Sequence, residues 1–215
     1  MNSIVSASIL SADLCNLEKD IHRAEQAGCE YIHFDVIDGV FVDNISYGIP
    51  VLKSVSKIAN SVLDVHLMII NPLKYIKDFA ESGADIITFH YESDSDCSQV
   101  IDEIHSYGKK AGSSIKPATP VSVIIPYLDK VDMILIMTVE PGFGGQGFID
   151  ECLPKIKELK AILNEKGLNV PIQVDGGIND ITSSLSSKAG ADIMVAGSYL
   201  FKAENMEQAV ESLRK

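Results

Sequence analysis

The stretch AGCEYIHFD, residues 27–35, decides how this chain is read. A small residue and a glycine close a helical run, and a polar residue follows. An apolar segment then ends on side chains able to do chemistry. The same order returns as SGADIITFH at 82–90 and as AGADIMVAG at 189–197. This is the helix-to-strand junction of a repeating α/β chain. Gly28, Gly83, Gly108 and Gly190 all fall where a left-handed helix cap belongs.

Working outward from these junctions, short β-branched runs predict strands at 5–10, 31–36, 62–67, 86–90, 110–115, 133–138, 172–175 and 193–196. Amphipathic runs between them, such as 14–27, 72–82, 153–165 and 182–189, predict helices. The tail after Phe201 reads as the eighth helix. Eight strands in 215 residues leave about 27 residues per βα unit, which suits a compact α/β fold of one kind, the (β/α)8 TIM barrel. A doubly wound sheet would carry glycines in its first turn; here that turn reads SILSADL. No linker or low-complexity tract interrupts the pattern, so residues 1–215 are expected to form a single barrel domain.

The net charge of −12 argues against a nucleic-acid partner, which wants a basic surface. It also removes steering of anions by overall charge, so any phosphate must be held by local donors or a bound metal. Cys15, Cys29, Cys97 and Cys152 form no C-x-x-C pair and read as reduced, structural thiols. No apolar run reaches the ~18 residues of a membrane span, and MNSIVSASIL has no basic n-region. The expectation is a cytoplasmic protein without membrane contact.

In a barrel, chemistry collects at the carboxyl ends of the strands. Strand two ends in His33-Phe34-Asp35, strand three in His66-Leu67-Met68 and strand seven in Asp175-Gly176-Gly177. Residues i and i+2 of a strand share a face, so His33 and Asp35 point the same way. Two imidazoles and two carboxylates at one mouth suit a divalent transition metal, and a cation offsets the cost of burying the acids together. Strands two and seven lie on nearly opposite sides of the ring. Asp35 and Asp175 can therefore address opposite faces of one carbon, one removing a proton and the other returning one. A metal would stabilise the resulting enediolate as a Lewis acid. Gly142, Phe143, Gly144 and Gly145 after strand six, Gly176 and Gly177 after strand seven, and Gly197 and Ser198 after strand eight form a candidate phosphate site.

These residues resemble the ribulose-phosphate 3-epimerase family. The resemblance rests on SILSAD (8–13), HFDVIDG (33–39), DVHLM (64–68), MTVEPGFGGQ (137–146) and VDGG (174–177), in the family's order along the chain. It implies a barrel of the ribulose-phosphate-binding type, a pentose phosphate pathway isomerase acting on D-ribulose 5-phosphate and D-xylulose 5-phosphate, and a homo-oligomer. It assigns the metal to His33, Asp35, His66 and Asp175, with Asp35 and Asp175 also catalytic. Ser8, His66, Met68, Met137 and the rim glycines would touch a small sugar phosphate. The ion would be one divalent metal: Zn, Fe(II), Mn or Co. Two departures stand out. Ile37 replaces a methionine near the reaction plane, and Asp43 replaces a proline. Both bear on rate and preference. Two rival readings stand beside this one: a 3-epimerase of a ketohexose 6-phosphate such as D-allulose 6-phosphate, and a sugar-phosphate-binding barrel without catalysis.

The remaining polar residues have plainer expectations. Asp38 shapes the loop after strand two, and His90 takes a structural hydrogen bond. Lys116 is either an anion-attracting or a solvated loop residue. His22 and His105 sit on helix surfaces.

Overall fold

The computed structural model describes residues 3–214. Eight parallel strands, β1 (Ile4–Ser8), β2 (Tyr31–Ile37), β3 (Val62–Met68), β4 (Ile86–His90), β5 (Lys110–Ile115), β6 (Met133–Met137), β7 (Ile172–Asp175) and β8 (Ile193–Ala196), close in sequence order. The seam pairs Ile4 with Ile193 and Ala7 with Ala196. The fold is the expected (β/α)8 barrel. Around it lie α1 (Leu17–Gln26), α2 (Ile49–Val55), α3 (Ile76–Glu81), α4 (Cys97–Ser106), α5 (Cys152–Lys166), α6 (Asp180–Ala189), α7 (Ser198–Phe201) and α8 (Met206–Leu213). Between β5 and β6 there are only two 3-10 turns, at Val121–Val123 and Ile125–Tyr127. Pro120 precedes the first and Pro126 lies within the second, and proline supplies no helical N–H.

Strand parity sorts the residues. Val5, Ala7, Ile32, Phe34, Val65, Leu67, Ile87 and Phe89 face outward and pack with helix residues such as Ile21, Leu52, Ile76 and Ile101 in the main core. The alternate positions face into the barrel. The lowest of these, Ile4, Tyr31, Val62, Ile86, Met133 and Ile193, pack into an apolar plug. Two residues further along β1 to β4 the interior turns polar, with Ser6, His33, Asp64 and Thr88 buried; Gln173 of β7 is buried as well, while Leu135 and Val195 on β6 and β8 stay apolar. Barrel interiors are ordinarily filled by branched apolar side chains. Polarity confined to the upper interior marks that end for chemistry.

The boundaries depart from expectation in two instructive places. The first strand ends at Ser8, where its pairing with His33 of β2 ends. Ile9–Ser11 turn into a 3-10 segment closed by the Ala12 N–H on the Ile9 carbonyl. Apolar character continues through Ile9 and Leu10, and so it hid the turn. The first and third helices likewise begin with 3-10 turns, Leu14–Asn16 and Pro72–Tyr75, before Leu17 and Ile76 start α-helix. Gly28, Gly83, Gly108 and Gly190 all have positive φ, between 68° and 115°, as helix-closing glycines should. All four cysteines are free, and Cys15 alone is exposed. None of the described helices is long and apolar enough to cross a membrane.

Candidate active site

β2 and β3 run in register, with His33 opposite Asp64 and Asp35 opposite His66. All four point inward and are buried. His33 Nδ1 lies 2.8 Å from Asp64 Oδ2, and Gln173 Nε2 donates to the same oxygen at 2.6 Å. A carboxylate only accepts, so Nδ1 of His33 carries a proton and Nε2 faces the mouth. That Nε2 is 3.3 Å from Asp35 Oδ1 and 3.8 Å from Asp175 Oδ2. His66 Nδ1 is 3.1 Å from Asp35 Oδ1 and 3.9 Å from Asp175 Oδ2. One donor atom from each of His33, Asp35, His66 and Asp175 lies within 4.8 Å of the others. Metal bonds of about 2.0–2.2 Å set tetrahedral donors about 3.3–3.6 Å apart. The donor set therefore fits a divalent ion in both chemistry and spacing.

The electrostatics separate the two acids. Burial by itself would raise the Asp35 pKa, but the charge and hydrogen bond of His33, foremost among its neighbours, hold the carboxyl far below its usual range. Ser8 Oγ donates to Asp35 Oδ2 at 2.6 Å, which further favours the anion. Asp175 moves the other way. Burial and the nearby Asp35 charge raise it to about 6. For His33, burial opposes protonation, yet the charges of Asp35 and Asp64 lift its pKa well above the ordinary imidazole value. Without a metal, the imidazolium of His33 is the cation that lets two acids stay buried.

Above these groups opens a cavity of about 240 Å³. Ser8, Asp35, Met68, Met137, Asp175 and the rim residues Gly142, Phe143, Gly144, Gly145, Gly176, Gly177, Gly197 and Ser198 all line it. His33 and His66 are fully buried and stand behind the two aspartates. Direct contact between His66 and a substrate therefore has no open surface in this conformation. Gly176 and Gly177 adopt positive φ of 119° and 66°. A Cβ at Gly177 would lie 2.4 Å from the Phe148 backbone nitrogen, so only glycine fits where the backbone turns under the cavity. The sixth loop is tied down at Gly142, whose carbonyl accepts from Asn44 Nδ2 at 2.6 Å. Ser198 opens the short α7 at the cavity edge.

The plainer residues fall as follows. Asp38 accepts backbone N–H groups from Val40, Phe41 and Ile70, each at 2.8 Å, and so shapes its loop. Lys116 is half-buried, its Nζ 3.9 Å from the Phe41 ring centre. Ile37 packs with Phe41 and Met68 beside the mouth. Asp43 is exposed. His105 is exposed and reaches Asp132, while His22 is half-buried on α1 against Glu25.

Sequence reasoning missed Asp64, Gln173 and Glu92. Parity was the available signal: Asp64-Val65-His66 and His90-Tyr91-Glu92 repeat the i, i+2 spacing of His33-Phe34-Asp35. His90 does take a buried hydrogen bond, and its partner is a candidate metal ligand: His90 Nε2 is 2.9 Å from His66 Nε2. Ser11 was also passed over. It lines the cavity, and its Oγ would be met by a Cβ on Gly144 or on Gly197.

Fold and rim together define an enzyme-type (β/α)8 barrel, with its reactive groups gathered at the carboxyl ends of the strands. The profile of the ribulose-phosphate 3 epimerase family matches residues 4–201. The chain is 43% identical over 215 residues to the ribulose-phosphate 3-epimerase of Synechocystis, covering 99% of this chain and 94% of that one. It is 44% identical over 211 residues to the ribulose-phosphate 3-epimerase of Bacillus subtilis, covering 98% and 97%. Among solved structures, 3-hexulose-6-phosphate synthase from Salmonella typhimurium superposes with a TM-score of 0.73 at 14% identity, over 98% of this chain and 96% of that one. That likeness speaks for the fold alone. The chain belongs to the ribulose-phosphate 3-epimerase family and is an isomerase.

Proposed function

We propose that the chain is a metal-dependent 3-epimerase that interconverts D-ribulose 5-phosphate and D-xylulose 5-phosphate by two-aspartate acid/base chemistry. The observation that carries the reading is the convergence of Asp35, from β2, and Asp175, from β7, on one cavity with opposed pKa shifts. A depressed carboxyl is ready to take a proton at neutral pH, and a raised one to carry one. In the forward direction Asp35 removes the proton at C3 from one face, and Asp175 returns one from the other; the roles exchange in reverse. Ser8 holds Asp35 by its Oδ2, which orients the carboxylate. Met68 and Met137 give the reacting carbon an apolar wall that excludes water.

His33, Asp35, His66 and Asp175 are the residues that would hold a divalent ion. When bound, that ion supplies Lewis-acid stabilisation of the negative charge developing on the sugar oxygens. Backbone N–H groups of the three glycine loops, with Ser198, would hold the phosphate.

The test is turnover and C3 exchange with solvent deuterium in Asp35→Asn and Asp175→Asn, with metal content measured in each. Both variants are expected to lose epimerisation. Near-normal turnover by either one with metal bound overturns the mechanism. Comparing a five-carbon with a six-carbon ketose phosphate checks the substrate; a large preference for the longer sugar overturns the pentose assignment.

A further inference from the structure

We propose that Glu92 and His90 form a positioning relay that sets the tautomer of His66, so that its Nδ1 lone pair points into the donor cluster. The inference rests on the reading of His66 as a metal ligand and extends it to two residues outside the cluster. Donors and acceptors alternate along one chain of contacts from Glu92 through His90 to His66. Glu92 Oε1 accepts from the Lys116 backbone N–H at 2.7 Å and from the Thr119 hydroxyl. Its other oxygen, Oε2, faces His90 Nδ1 at 3.2 Å. A carboxylate cannot donate, so His90 Nδ1 carries a proton. His90 is buried between His66 and Phe41, whose ring is 4.8 Å away and tilted 41° to it. A neutral imidazole protonated at Nδ1 has a bare Nε2. That bare nitrogen lies 2.9 Å from His66 Nε2, which must therefore supply the hydrogen. His66 is left protonated at Nε2 and bare at Nδ1, the atom that faces Asp35 and Asp175.

The opposite tautomer of His66 also has an acceptor within reach. Asp35 Oδ1 sits 3.1 Å from the same Nδ1 and would accept a hydrogen from it. If Asp35 won, His66 Nε2 would be bare and would meet a bare His90 Nε2, a repulsive contact at 2.9 Å. The relay is thus the counterpart on His66 of what Asp64 does for His33. Partners of this kind are worth about 10- to 100-fold in metal affinity.

Glu92→Gln is the discriminating change. Its oxygen must stay on the Lys116 N–H, which needs an acceptor, so its NH2 faces His90. His90 Nδ1 then becomes the acceptor, His90 Nε2 the donor, and the His66 proton moves to Nδ1. The readouts are the nitrogen-15 shifts of the His66 ring in the metal-free full chain and zinc affinity by chelator competition. Expected are a bare Nδ1 in the parent, a protonated Nδ1 in Glu92→Gln, and a loss of about 10- to 100-fold in zinc affinity. A parent His66 protonated at Nδ1 overturns the relay. So does a folded Glu92→Gln variant with unchanged tautomer and affinity. Should that variant fail to fold, the pair His90→Gln and His90→Leu decides. Glutamine keeps an acceptor for His66 Nε2 and is expected to retain affinity, whereas leucine is not; equal affinities for the two sink the proposal. Because these readouts need no turnover, their failure is distinguishable from failure of the proposed epimerase activity.

Discussion

Asp64→Asn separates two opposed effects of one buried carboxylate. Asp64 Oδ2 takes hydrogen bonds from both His33 Nδ1, at 2.8 Å, and Gln173 Nε2, at 2.6 Å. Both partners are donors, so the asparagine oxygen must occupy that position. Its NH2 then replaces Oδ1, an atom with no protein partner. The His33 contact falls from a charge-assisted to a neutral hydrogen bond, a difference of about 1–1.5 kcal/mol. At about 1.4 kcal/mol per tenfold, this predicts roughly tenfold weaker metal binding. The second effect has the other sign. Asp64 also helps hold the His33 pKa above its ordinary value, and that proton competes with the metal for Nε2. Removing the charge lowers the competing pKa. The affinity loss should therefore be full at alkaline pH, above the His33 titration, and should shrink towards pH ~6.5. Zinc titration against a chelator across pH measures both effects. Unchanged affinity at alkaline pH, or a loss that grows as pH falls, refutes the reasoning.

Metal binding at neutral pH should release a proton from His33, because burial is outweighed by Asp35 and Asp64 and its pKa stands raised; calorimetry in buffers of different ionisation enthalpy should show release, and affinity should tighten as pH rises. Metal-free stability carries the same group with its own sign: the His33 contribution is full below the unfolded pKa of about 6.5 and is lost as pH rises through the raised folded value, so the parent should lose more melting temperature on that rise than a His33→Gln variant. Gly177→Ala combines a φ of 66° with a Cβ 2.4 Å from the Phe148 nitrogen, and denaturant melts should show a loss of at least about 2 kcal/mol. Gly197→Ala meets the Ser11 hydroxyl at 2.7 Å without a positive φ; that hydroxyl can rotate, so stability should hold while KM for the sugar phosphate rises severalfold.

The legible part of this molecule was the part written in local pattern. β4, β5, β7 and β8 begin and end where their β-branched runs do, and helix-closing glycines announce the junctions. The exit of β1 was illegible because Ile9 and Leu10 remain apolar while the backbone turns, and periodicity does not register a three-residue turn. The candidate site divides along the same line. Asp35, His66 and Asp175 were visible because each lies in the carboxyl half of its strand, and His33 because it stands two residues before Asp35. Asp64 lies level with His33 and one inward step below His66, where an acid reads as a cost unless its partners are known. Those partners, His33 and Gln173, come from neighbouring β2 and from β7, 109 residues further along the chain. Glu92 is satisfied by His90 two residues back and by Lys116 and Thr119 on the fifth loop. Such pairings are products of barrel closure, and a linear reading has no access to them.

Closure also explains a feature of the charge. Among the described residues, no lysine or arginine lines the cavity, although the chain as a whole carries a charge of −12 and its proposed substrate is an anion. A basic side chain at the rim would attract phosphate, but it would also act on the acids beneath. A positive charge beside Asp175 favours its ionised form and erodes the rise produced by burial and by Asp35. Neutral donors avoid that coupling. Backbone N–H groups of the glycine loops offer direction and partial charge at short range, and leave the separation between the two carboxyl groups intact. Under the proposed function the glycines would do two things at once: hold the phosphate, and keep full positive charge away from the proposed acid/base pair. Placing a lysine at Ser198 should then tighten phosphate binding and lower kcat together. Inorganic phosphate inhibition and the pH profile of kcat would register the two effects separately, and tighter phosphate binding with an unmoved pH profile would refute the coupling.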